Sequence, residues 1–235
     1  MFAIYKRELR SYFISPIGYI FVAVYLIVSG IIFSMCTLTA GSDSSVATYF
    51  MMMLYVFIIV LPLLTMKLFA DEKKARTEQL LLTSPVSLMG MVAAKFFAAY
   101  TVFAVTYLIS CLDFIALYNY GTPNTAILLG SSLALLLVGG ACIAIGVFVS
   151  SLTENQLIAA LSTILIILFF MVTSSLNSYI DSAIVRSVLN WVSIFERFSN
   201  FAYGYFDINA IVYYVSISFA FLFLTVRVYE KRRWS

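Results

Sequence analysis

Six long apolar runs limit what this chain can fold into more than any other feature. They cover about 17–38, 47–66, 92–118, 126–149, 157–176 and 208–228, and each is close to the ~20 apolar residues a helix needs to cross a bilayer. With 63% apolar and 11% charged residues, the chain has too much apolar surface for water to act as its solvent. Its mean hydropathy of +1.03 says the same. Lipid offers backbone N–H and C=O groups no partner, so a spanning segment must be a helix or part of a closed barrel. Barrel strands alternate apolar and polar residues, whereas Ile164-Leu165-Ile166-Ile167-Leu168-Phe169-Phe170 does not. The expected fold is all-α: a polytopic membrane protein with six transmembrane helices in one domain over residues 1–235.

Within the runs, Pro62 removes a backbone donor and predicts a kink in the second span. The fourth span carries Gly130, Gly139, Gly140 and Gly146. Gly140/Ala144 and Gly146/Ser150 stand at the small-xxx-small spacing that lets helix backbones pack closely. The first run is too long for the apolar core of a signal peptide. Met35-Cys36-Thr37-Leu38 also offers no small-x-small cleavage site.

Charge asymmetry sets the orientation. Placing both termini on one side puts Lys6, Arg7, Arg10, Lys67, Lys73, Lys74, Arg76, Lys95, Arg227, Lys231, Arg232 and Arg233 there, twelve of the fourteen Lys and Arg residues. Only Arg186 and Arg197 fall on the other side. Cytoplasmic loops carry the excess of Lys and Arg, so both termini are expected in the cytoplasm. A net charge of +3 is too small to suggest a nucleic-acid partner.

The polar connections hold the remaining information. Over residues 1–16, Phe2, Tyr5, Leu9, Tyr12 and Phe13 share a helical face, with Lys6, Arg7 and Arg10 away from it. This predicts an interfacial helix on the inner leaflet, stopped at Ser15-Pro16. In the long 67–95 connection, residues 71–82 have good helix formers and no Gly or Pro, which predicts a helix ended by Thr83-Ser84-Pro85. Its Leu80, Leu81 and Leu82 form an apolar knob beside Glu78 and Gln79. The segment reads either as a docking helix or as a solvated loop whose leucines rest on the membrane. The 150–156 connection carries Glu154 alone and reads as a tight turn or a second, smaller cytoplasmic contact. The aromatic 177–207 connection, with Trp191 and Phe195 among its rings, reads as amphipathic helices at the outer leaflet that cap the bundle or gate it.

Little in the chain could do chemistry. There is no His, so no His-ligated metal and no Ser-His-Asp site can form from this chain alone. Cys36, Cys111 and Cys142 all lie in apolar runs and do not suggest a disulfide framework. No G-x-x-x-x-G-K-[ST] loop occurs, so ATP is not held here in that manner. Asp113 is the acid deepest in a span, near Asn119 and Gly121-Thr122-Pro123-Asn124. It reads as a hydrogen-bonded structural acid or as a pathway residue.

Three separated stretches resemble one family. Glu72-Lys73-Lys74 followed by Thr77-Glu78-Gln79-Leu80-Leu81-Leu82-Thr83-Ser84-Pro85-Val86 resembles the cytoplasmic signature of ABC-2-type permeases, closest to the GldF-like subunits. Tyr5-Lys6-Arg7-Glu8-Leu9-Arg10-Ser11-Tyr12-Phe13 with Ser15-Pro16-Ile17-Gly18-Tyr19 is similar to the same group. So is the ending Phe221-Leu222-Phe223-Leu224-Thr225-Val226-Arg227-Val228-Tyr229-Glu230-Lys231-Arg232-Arg233-Trp234. The family often has Gly before the Thr-Glu pair, where this chain has Arg76.

The resemblance implies a permease subunit in a prokaryotic cell membrane, in an exporter that pairs it with a second permease chain, identical or related. It implies that hydrolysis, with the bound ATP and Mg, belongs to a separate ABC ATPase. The 71–82 helix would be the coupling helix, with Glu72, Arg76, Thr77, Glu78, Gln79, Leu80, Leu81, Leu82 and Thr83 facing that ATPase. An ion-coupled carrier or channel using Asp113, and a non-transporting scaffold subunit of a motility or secretion assembly, are the competing readings.

Overall fold

The computed structural model describes residues 1–38, 43–77, 87–120, 124–176, 193–194, 197–202, 204–205 and 207–234. Its helices are α1 (Phe2–Ile14), α2 (Pro16–Phe33), α3 (Asp43–Thr65), α4 (Lys67–Lys74), α5 (Leu88–Ser110), α6 (Asp113–Tyr120), α7 (Thr125–Leu152), α8 (Gln156–Leu176), α9 (Phe198–Ala202) and α10 (Ile208–Trp234). There is no strand among the described residues. Among the described residues, six stretches are long and apolar enough to span: Pro16–Thr37, Val46–Lys74, Leu88–Ile115, Thr125–Leu152, Gln156–Thr173 and Ile208–Arg233. The fold is an all-α polytopic membrane protein, as the apolar runs require.

Local chemistry sets the helix starts. Ser15 is extended and Pro16 occupies the first turn of α2, where its missing N–H costs nothing, so α1 and α2 separate at the expected place. Ser87 caps α5 by accepting from Gly90 N at 3.2 Å, and Asn124 caps α7 by accepting from Ala126 N at 3.0 Å. Asn155 Oδ1 accepts from Leu157 N at 2.9 Å as α8 begins. Asp207 Oδ1 accepts from Asn209 N at 2.9 Å as α10 begins.

Helix α7 is the axis of the bundle, packed against α3, α8, α10 and the inner α4. Its glycines permit this. A Cβ at Gly139 would collide with the Phe103 ring of α5, and one at Gly146 with Thr65 of α3. Close helix approach, expected from the small-residue spacing, is what these positions provide. Pro62 lies inside α3, and the helix interruption comes four residues later, at Met66.

The helix of the second span breaks at Met66 and resumes as α4, which runs to Lys74. One expectation needs correction. The predicted helix over 71–82 is not continuous. It starts earlier, at Lys67, and α4 closes with Ala75 as C-cap and Arg76 at φ +56°. Arg76 N donates to Lys73 O (3.1 Å) and Thr77 N to Glu72 O (3.0 Å), the paired bonds of a Schellman ending. Summed helix propensity cannot register such a cap, because Arg and Thr are acceptable helix residues. Residues 78–86 lie outside the described residues, as does most of the 177–207 connection. Within the latter, Phe198 and Phe201 are fully buried, and Ser131 Oγ donates to Phe201 O at 3.3 Å, so α9 packs against the start of α7, at the end of the bundle opposite the termini.

Candidate functional site

The two termini and α4 meet at one end of the bundle. The resulting site grows from a mismatch: α4 continues an apolar helix but carries Lys67, Asp71, Glu72, Lys73 and Lys74. Each charged group must find a partner or water. Glu72 turns inward and is divided between two cations. Its Oε2 lies 2.9 Å from Lys95 Nζ and its Oε1 accepts from Arg7 Nη2 at 2.7 Å. Arg7 also donates to Glu8 Oε1 at 2.6 Å, and Lys95 Nζ stands 3.3 Å from that same oxygen.

Lys95 is 0% exposed. Its ammonium has three N–H donors and three acceptors: Leu68 O at 2.7 Å, Glu72 Oε2 and Glu8 Oε1. The Phe69 ring lies 4.9 Å from Nζ. A buried ammonium survives only with such full satisfaction. Tyr12, one turn after Glu8, donates to Leu64 O at 2.9 Å. Burial, and then the charge of Glu8, push the Tyr12 pKa well up and keep it a neutral donor. Lys67 donates to Ser15 Oγ at 2.6 Å, at the edge of a cavity of about 300 Å³ between α1 and α4.

The other face of α4 is held by α7 and the turn after it. Ser150 Oγ accepts from Phe69 N (3.1 Å) and Ala70 N (3.2 Å), and donates to Met66 O (3.1 Å). One hydroxyl therefore satisfies the backbone groups near the α3–α4 interruption, one turn beyond Gly146, where the helices touch. Lys73 Nζ donates to Leu152 O at 3.3 Å and stands 3.7 Å from Glu154 Oε1. Gln156 Nε2 donates to Asp71 Oδ1. The end of α10 joins them: Arg232 Nη2 donates to Ser151 O at 3.0 Å, and the Tyr229 ring lies 5.0 Å from that of Phe69.

The structure thus brings Glu72, Arg76, Thr77 and Glu154 to one end of the bundle. Glu78, Gln79, Leu80, Leu81, Leu82 and Thr83 lie outside the described residues. Asp113 is elsewhere, in the first turn of α6 after the Cys111–Leu112 turn. Lys95, Glu8, Arg7, Ser150 and Gln156 were not singled out by the sequence as site residues. For Lys95 a signal existed. It lies inside the apolar run that begins near Val92, and an ionisable residue in a span calls for a named partner.

No curated protein matches the chain in sequence. The family model described as ABC-2 family transporter protein matches residues 33–229, from the end of α2 to the last turns of α10. With six membrane-crossing helices and a match over most of its length, this chain is a permease subunit and belongs to the ABC-2 transporter family.

Proposed function

We propose that this permease, of the GldF-like kind, is the membrane part of an ATP-driven exporter in a prokaryotic cell membrane, with both termini in the cytoplasm. It pairs with a second permease chain, identical or related, and with a separate ABC ATPase that holds ATP and Mg and performs the hydrolysis. The observation that supports this best is α4. The helix leads from a membrane span to the Glu78–Thr83 sequence, and its Asp71, Glu72 and Lys73 are spent on α1, α5 and the 150–156 turn. In this reading Glu72, Arg76 and Thr77 anchor the docking segment, Glu78 to Thr83 contact the ATPase, and Glu154 adds a second contact beside Lys73.

Closure of two nucleotide-loaded ATPases would press on the docking segments. Displacement of α4 would pass to α3 through the interruption at Met66 and to α7 through Ser150, whose three hydrogen bonds join the two helices there. A ligand shifts such an equilibrium only by contacting the two states differently, which a seated docking segment does.

Purification from native membranes should recover an ATPase whose hydrolysis rises when the permease is present. Combining Glu78→Lys with Leu81→Asp should abolish that rise; unchanged assembly and hydrolysis would overturn the reading. Asp113→Asn should leave ATP-driven transport in place. Flux that survives ATP depletion and fails in Asp113→Asn would instead establish an ion-coupled carrier. A stable complex that moves no solute when supplied with ATP would establish a scaffold subunit.

A further inference from the structure

We propose that Lys95 is a positioning residue, a buried latch that makes α1, α4 and the inner end of α5 move as one body and so sets how the docking segment is presented. The functional consequence rests on the ATPase-coupled reading above; the latch itself does not.

The geometry of one atom carries the inference. Lys95 Nζ belongs to α5, yet its three acceptors come from the two other helices: Leu68 O and Glu72 Oε2 from α4, Glu8 Oε1 from α1. Arg7 closes the ring from outside, reaching Glu8 and Glu72 through the same Nη2. Every carboxylate in the cluster therefore serves two cations, and both cations touch both carboxylates. A helix leaving this arrangement would strand a charge away from water, so small excursions are penalised from either side. Glu72 also supplies the carbonyl that receives Thr77 N in the α4 cap. The residue that binds the latch is therefore the one that fixes where the chain turns into 78–86. Helix α1, which Tyr12 also ties to Leu64 O and Tyr5 to Thr101, is joined to α4 and Lys95 through Glu8.

The test uses the full chain in nanodiscs, with Cys36, Cys111 and Cys142 replaced by Ala and spin labels at Arg10→Cys on α1 and Lys74→Cys on α4. The parent should give one narrow inter-label distance. Lys95→Met should broaden or split it, Lys95→Arg should restore it, and Glu8→Gln should broaden it less. The milder Glu8→Gln decides the matter if Lys95→Met fails to fold. A narrow, unshifted distance in Lys95→Met, or in Glu8→Gln where only that variant folds, would overturn the latch.

With the co-purified ATPase added, ATP should shift an α1 label relative to one at the outer end of α7 in the parent. In Lys95→Met that shift should vanish. A shift retained in Lys95→Met would overturn the transmission role. A parent that recruits no ATPase would instead defeat the proposed function, and the first pair of labels would still decide the latch.

Discussion

The two ends of this bundle, the one that carries both termini and the one opposite, are held by different forces. At the first, the buried Lys95 lies between Glu8 and Glu72 in an ion lattice closed from outside by the half-exposed Arg7, with contacts of 2.6–3.3 Å, and Ser150 bridges two helices through their backbones. At the opposite end, Phe33, Tyr49, Phe50 and Phe114 pack ring against ring, with centroids 5.3–5.8 Å apart, and Ser29 pairs with Tyr49 at 2.9 Å. Dispersion and ring quadrupoles degrade gradually when a side chain is trimmed. A buried ion lattice fails abruptly, because one lost partner leaves a charge without compensation. The end that carries both termini is therefore the more brittle of the two.

The comparison breaks most visibly at Lys95. Lys95→Ala should cost roughly 3–5 kcal/mol, measured as lost thermal stability in detergent, since Glu8 and Glu72 would keep their charges with Arg7 alone to balance them. Gly146→Val should follow at about 1–3 kcal/mol, because the added carbons meet Thr65 across the α3–α7 contact. Phe114→Leu at the opposite end should cost about 1 kcal/mol, with the remaining rings closing in. A loss there as large as that of Lys95→Ala would erase the distinction between the ends. Smallest, and opposite in sign, Arg76→Gly should stabilise by about 1 kcal/mol, because glycine accepts the left-handed conformation that Arg76 holds at φ +56°.

That last residue shows what the sequence could and could not reveal. Span number and approximate ends followed from apolar length, a property of the segment alone. The boundary between α1 and α2 carried the Ser15-Pro16 signal that the structure uses. Arg76 stands where the family often has Gly, and the structure gives it a left-handed backbone, φ +56°, which helix propensity over 71–82 does not register. Lys95 counted only as a charge on the basic side. Its burial depends on Glu8 and Glu72, which are far from it in sequence, and no local pattern encodes that meeting. Ser150 was read as a small residue for packing, and its hydroxyl matters only because the α3–α4 interruption lies against it.

A structure of the permease purified with its native partners decides whether residues 78–83 are a docking element. An ATPase should be seated against them, with the Glu154 turn at its edge and Lys95 still enclosed by Glu8 and Glu72. A complete assembly in which that segment faces solvent, with no ATPase beneath it, would contradict that role.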